Sequence, residues 1–338
     1  MFDRPRIAGA EPVRAGRGGA GVTVSLARRE LQRIAPGRPS AVTVGVFDGV
    51  HRGHRHLVAA LLEEASRESL ATVAITFNPH PRTVLRPGAA ITYITSLEER
   101  VELLQSLGLD AVGVLAFTSE LAQLAPREFL GLLADELEMR LLLVGPDFAF
   151  GRNRAGTLAV SSEIGEELGF RVEVASMLDE NGAKVGSTAV REALARGDVS
   201  LAAQLLGRPF SLRGPVIEGD KRGRELGFPT ANIAIGLDHA LPAYGIYVSR
   251  AYVRETAYEA CTSVGVRPTF DDANRPTVEA FILDFDGDVY GEELRIDLLE
   301  RLRGEERFES AAELTVQMQR DVDQTRDYFR SHGDPADA

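Results

Sequence analysis

Val42-Thr43-Val44-Gly45-Val46-Phe47-Asp48-Gly49-Val50-His51-Arg52-Gly53-His54 decides how this chain is read. The apolar, β-branched run up to Val46 predicts a buried strand. Gly45, Gly49 and Gly53 then let the backbone turn closely where a Cβ would obstruct a ligand. A helical pattern from about His54 to Glu68, with Leu57, Leu61, Leu62 and Ala65 on one stripe, sets His51 and His54 at its first turn. An anion there meets free N–H groups and the positive end of the helix dipole. Histidine donates to a phosphate and carries charge as a departing pyrophosphate gains it, so the stretch suits attack on a nucleotide α-phosphate.

Working outward, Ala71 to Phe77 reads as a second buried strand ending at Asn78-Pro79-His80-Pro81. Four of the six histidines lie between His51 and His80, and the ends of strands are where open α/β sheets bind ligands. Thr95-Ser96 caps a helix carrying Leu97, Val101 and Leu104. Strands at Ala111–Leu115, Leu141–Val144 and Arg171–Ala175 alternate with further helical patterns, among them Pro126–Leu137. Strands alternating with helices predict right-handed βαβ units and a parallel sheet covered on both faces. Gly145 to Gly156 leaves one of these strands with charges near its end, of which Asp147 and Arg154 are the functional candidates. At Val185-Gly186-Ser187-Thr188-Ala189-Val190-Arg191 a Ser187 cap, the Thr188 hydroxyl and the Arg191 fork are expected to hold a phosphate at a helix start.

After a helix from Leu201 to Leu206 the pattern changes at Gly207-Arg208-Pro209. Six short runs follow, Leu212–Glu218, Ala231–Ile235, Ile246–Val253, Ala260–Val264, Val278–Phe285 and Leu294–Leu299, with no helix-length run before Ser310. That spacing predicts a closed antiparallel barrel. A last helix bearing Leu314, Met318, Val322 and Phe329 is expected to pack across it. Within Gly219 to Asn232, glycines and cations precede Thr230 and Asn232, hard oxygen ligands that suit Mg²⁺ bridging ATP phosphates. Glu279 is a carboxylate set among apolar strand residues, fit to take the proton of an attacking alcohol, although a solvent-facing glutamate gives the same alternation.

His-x-Gly-His after a glycine turn resembles the nucleotidylyltransferase signature. Gly-Val-Phe-Asp-Gly-Val-His-Arg-Gly-His resembles its flavin branch, the bacterial bifunctional riboflavin kinase/FMN adenylyltransferases. The resemblance continues in the loop around His80, with Asn78 where Asp or Glu is common, and in Val144 to Gly156. It continues again at Ser187-Thr188 through Arg191, where Gly186 replaces a serine, and in Gly227-Phe228-Pro229-Thr230-Ala231-Asn232. It implies a Rossmann-like adenylyltransferase domain at 26–199 and a riboflavin kinase barrel at 200–332, between tails at 1–25 and 333–338. It further implies ATP contacts at Gly45, Phe47, Asp48 and Gly49, and nucleotide or flavin contacts at His80, Asp147 and Arg154. In the kinase half it implies Gly219, Lys221, Gly227, Pro229 and Arg303 around ATP and flavin, with Phe308 nearby, Mg²⁺ on Thr230 and Asn232, and Glu279 as base. The activities implied are phosphorylation of riboflavin to FMN and adenylylation of FMN to FAD. Two alternatives stay open at this level: a kinase with a degenerate adenylyltransferase half, and a non-catalytic flavin-binding protein.

Composition narrows the field. The 338 residues suit two domains, each able to bury a core. One cysteine, Cys261, excludes an internal disulfide framework and fits a reducing cytoplasm. A formal charge of −12 argues against sequence-independent nucleic-acid binding, which needs a basic face. No apolar run reaches the length of a membrane span. The expected partners are therefore riboflavin, FMN, FAD and ATP, with no nucleic acid and no membrane, and any self-association is expected to be weak. The first 38 residues, with eight arginines and three acids, read as a flexible leader.

Overall fold

The computed structural model describes residues 20–88, 90–176, 178–180, 183–219, 223, 226–266 and 276–332. The chain divides into two compact units, the second beginning at Gly186 and also taking in Thr92–Ile94.

The first unit opens with helix α1 (Ala20–Gln32), which reaches back into the stretch expected to be flexible. Val24, Ala27, Leu31 and Ile34 pack it on the core, and their spacing of three and four residues was the available signal. There follow β1 (Ser40–Val44), α2 (Arg52–Arg67), β2 (Ala71–Asn78), α3 (Pro81–Leu85), α4 (Leu97–Gln105) and β3 (Ala111–Ala116). Next come α5 (Ser119–Ala122), α6 (Pro126–Glu136), β4 (Met139–Val144), α7 (Leu158–Leu168), β5 (Arg171–Val174) and the two-residue strands β6 (Asp179–Glu180) and β7 (Ala183–Lys184).

The main sheet is parallel with order β3-β2-β1-β4-β5. Alternate strand residues serve opposite faces. Val42, Val44, Val73, Ile75, Leu142 and Val144 meet α1, α6 and α7, while Ala41, Ala74, Leu141 and Leu143 meet α2 and α4. Helix α2 buries Val58, Leu61 and Ala65, spaced to fall on one side. Burying Leu61 is worth about 2 kcal/mol, and Leu61→Ala would cost roughly 2–5 kcal/mol once the cavity is counted. The strand order reverses direction between β1 and β4, so the C-terminal end of β1, where the Gly45–His54 stretch begins, lies at the topological switch point.

The second unit begins with α8 (Ser187–Ala195) and α9 (Val199–Leu206), the latter stopped by Gly207 at φ 72°. Helix α8 packs on α9, and α9 packs on β8 and β13. Strands β8 (Phe210–Ile217), β9 (Thr230–Ile233), β10 (Gly245–Val253), β11 (Thr256–Val266), β12 (Pro276–Ile282) and β13 (Glu293–Arg303) close as β10-β11-β12-β9-β8-β13. Every pairing is antiparallel. Helix α10 (Ala311–His332) packs on β10 and β11 through Val322, Thr325 and Phe329, as the apolar stripe predicts.

Candidate active sites

At the switch point the backbone is bent where the glycines allow it and also where they do not. Gly49 has φ 82°, and Phe47 and Val50 adopt positive φ of 53° and 39°. The conformation is held by its surroundings. Gly45 donates its N–H to Ile75 O at 3.0 Å, and Gly49 N–H donates to Thr95 Oγ1 at 3.1 Å. Thr95 N–H in turn donates to Asp48 Oδ1 at 3.3 Å. Asp48 is buried, and beneath it lies Arg100, also 2% exposed, 4.0 Å from the carboxylate and donating to Phe77 O at 3.3 Å. A buried ion pair is tolerated only where such further hydrogen bonds satisfy it. Thr95 and Arg100 were not identified as site residues from sequence. The one signal for Arg100 is a cation set one turn from Leu97, beside the apolar stripe of α4.

His51 is the N-cap of α2, and its Nδ1 accepts from His54 N–H at 3.3 Å. Neutral His51 therefore carries its proton on Nε2. The two rings stack at 3.6 Å, and Phe47 meets His54 edge-on at 5.1 Å. A Cβ on Gly53 would lie 3.2 Å from the His51 ring and 3.1 Å from Val185 O, so the glycine makes room for the imidazole. His54 is partly open on one side while its Nδ1 is wholly enclosed without a partner. Burial first, then the charges of His51 and Arg100, hold its pKa well below the usual histidine range. Burial and the neighbouring charges thus both oppose a proton gained by His54 in this structure.

The other residues expected at the adenylyltransferase site are placed as follows. His80 caps α3, its Nδ1 accepting from Arg82 N–H at 3.0 Å. Asp147 and Arg154 are exposed, whereas Phe148 and Phe150 stack on one another at 5.1 Å and on the Phe129 side of the core. Gly186, not Ser187, is the N-cap of α8, and no side chain caps that helix. Ser187 is its first residue because Gly186 holds the extended backbone that precedes the first turn. Arg191 Nε donates to Thr92 O at 2.8 Å within the second unit.

In the barrel, alternation puts Val278, Ala280 and Ile282 inside with Ala231, Ile233, Ala260 and Val264. Thr230, Asn232, Glu279 and Phe281 consequently face outward. Glu279 pairs directly with Asn232 across β9 and β12, and Thr230 Oγ1 donates to Glu279 Oε2 at 3.3 Å. Asn232 is only 7% exposed, and a Cβ on Gly219 would lie 2.3 Å from its Nδ2. Gly227 has φ 89°, which glycine alone adopts readily, and it precedes Phe228, which packs edge-on against Phe281 at 5.3 Å. Pro229 is exposed ahead of β9. Lys221 and the adjoining Asp220, Arg222, Arg224 and Glu225 lie outside the described residues.

Arg303 makes a bidentate pair with Asp321 of α10, at 2.9 and 2.6 Å, and stands 5.8 Å from the Phe308 ring. Asp321 is buried and also accepts from Gln317 Nε2 at 2.9 Å. These contacts raise the Arg303 pKa and make the residue a fastener between β13 and α10. Cys261 lies in the same layer, its thiol pushed up to about 12 by burial.

Stacked imidazoles at a helix start offer N–H donors to a polyphosphate. A hydroxyl, an amide and a carboxylate on one barrel face offer oxygen ligands and a base, and the two arrangements together define a two-module enzyme of nucleotide-dependent group transfer. Residues 34–189 match the FAD synthetase family model and residues 206–329 match the riboflavin kinase model. The bifunctional riboflavin kinase/FMN adenylyltransferase of Bacillus subtilis is 34% identical over 86% of this chain and 92% of its own. That of Escherichia coli K12 is 36% identical over 87% and 94%. A crystal structure described as a macrolide-efflux protein from Streptococcus pneumoniae is 31% identical, covers 88% of this chain and 96% of its own, and superposes with a TM-score of 0.81. Among the described residues no helix is long and apolar enough to cross a membrane. The chain belongs to the bifunctional riboflavin kinase/FMN adenylyltransferase family.

Proposed function

We propose that this chain makes both flavin nucleotides in sequence, transferring the γ-phosphoryl of ATP to the primary alcohol of riboflavin and then the adenylyl group of a second ATP to FMN. ADP leaves the first step and pyrophosphate the second. The reading rests above all on Glu279 set beside Thr230 and opposite Asn232, which puts a proton acceptor and oxygen donors on one face. Glu279 accepts the alcohol proton as the oxygen attacks phosphorus in line. Among the described residues no group of three or more His, Cys, Asp or Glu assembles into a metal site. A hydroxyl and an amide, the latter given room by the missing Cβ of Gly219, nevertheless fit Mg²⁺, which takes few protein ligands. When bound, Mg²⁺ would neutralise charge on the transferring phosphates.

In the second step the FMN phosphate attacks the α-phosphorus without a covalent enzyme intermediate. His51 offers its Nε2–H and His54 a neutral N–H to the oxygens that gain charge, helped by the dipole of α2. Ser187, Thr188 and Arg191 are assigned to phosphate binding on the motif match alone. The reading includes a cytoplasmic setting and no nucleic-acid or membrane partner, in keeping with the charge of −12.

The test is to incubate the protein with riboflavin and Mg-ATP and to separate the flavins by chromatography, expecting FMN and then FAD. Glu279→Gln is expected to slow FMN formation by roughly 10²- to 10⁴-fold and to leave FAD formation from supplied FMN intact. A wild-type protein that turns over neither flavin, or a Glu279→Gln variant with undiminished FMN formation, would refute the reading.

A further inference from the structure

The pairing register lays one row of side chains across the outer face of the barrel. Asn232 on β9 opposes Glu279 on β12, Glu279 opposes Ser263 on β11, and Ser263 opposes Ile246 on β10. Directly opposed residues of antiparallel strands share a face, with Cβ atoms about 4.5–5.5 Å apart. The inner neighbours agree, since Thr262 and Val264 are buried in the barrel while Ser263 is partly exposed. Among the described residues Ser263 Oγ makes no hydrogen bond, although it stands one strand from Glu279.

The row has a polarity. Its β9 end carries the Asn232 amide, with the Thr230 hydroxyl two residues along the same face of β9, its middle a carboxylate, then a neutral hydroxyl, then an isoleucine. An acceptor that gives its terminal alcohol to Glu279 must continue toward the β11 end, because the β9 end is taken by the phosphoryl donor. A substrate with an alcohol chain between its reacting end and an apolar ring matches that order.

We propose that Ser263 binds the substrate's alcohol chain, its Oγ hydrogen-bonding the secondary hydroxyl next to the primary alcohol that Glu279 deprotonates. The proposal rests on the riboflavin kinase reading above. Ser263 touches the acceptor alone and fixes which of its hydroxyls faces the phosphate. A hydroxyl both donates and accepts, so it suits a polyol better than a charge would.

The experiment compares riboflavin with its 4′-deoxy analogue on wild type, Ser263→Ala and Ser263→Thr. Ser263→Ala is expected to raise the KM for riboflavin roughly 3- to 10-fold, the worth of one neutral hydrogen bond, with the KM for ATP unchanged. The deoxy analogue is expected to show a similar loss on wild type and little further loss on Ser263→Ala, because the same bond is already missing. Ser263→Thr, which keeps the hydroxyl, should restore the KM. An unchanged KM for ATP and a retained kcat for FMN formation in each preparation show that the barrel is folded. An unchanged KM in Ser263→Ala, or losses that multiply, would overturn the proposal while leaving riboflavin phosphorylation standing. A wild type that forms no FMN would overturn both.

Discussion

Gly219→Ala isolates a geometric requirement of the kinase face. Gly219 does not adopt positive φ, so alanine fits its backbone and the whole effect is steric. The new Cβ would sit 2.3 Å from Asn232 Nδ2 and 2.6 Å from its Cγ, whereas ordinary contacts begin at 3.4 Å. Asn232 must therefore retreat by about 1 Å, and at 7% exposure, flanked by Glu279 on one strand and Ile217 on the other, it has little room to do so. Misplacing a positioning group by 1 Å costs on the order of 10²-fold in rate. The expected result is a loss of that order in kcat/KM for FMN formation, with FAD formation from supplied FMN unchanged because Gly219 belongs to the barrel. FMN formation within about threefold of wild type would refute the reasoning, and so would an equal loss in both activities.

Replacing His54 with alanine should have the opposite selectivity. FAD formation is expected to fall by roughly 10²- to 10⁴-fold with FMN formation intact, read from the same chromatogram. A second effect concerns stability. Burial holds His239 at about 4 instead of the ordinary 6.5, with its Nε2 enclosed and unpartnered. The unfolded chain therefore takes up a proton near pH 6.5 that the folded chain refuses. The stabilisation is complete above pH 6.5 and is lost as pH falls toward 4, in total on the order of 3 kcal/mol. Urea titrations at pH 7 and pH 4.5 should show a smaller fall in midpoint for His239→Gln than for wild type, and identical falls would rule the effect out.

Much of the site was legible because its chemistry is local. Glycines that a tight turn needs, histidines three residues apart and a proline ahead of Thr230 and Asn232 all act within a few residues of one another. What escaped was set by distant partners. Helix α1 was missed because an arginine- and glycine-rich leader masked the spacing of Val24, Ala27, Leu31 and Ile34. The pairing of Arg303 with Asp321, eighteen residues on, had no signal in the sequence, because only the docking of α10 brings the two together.

By itself the sequence determined the alternation that makes one half a parallel sheet and the other an antiparallel barrel, because the period of apolar residues is a property of neighbours along the chain. It also placed the glycine turn and its two histidines. Tertiary structure alone decided that Thr95 and Arg100 hold that turn from below, that burial disfavours charge on His54, and that Ser263 shares a row with Glu279. Each of these depends on strand register and on burial, which bring together groups that no spacing in the sequence connects.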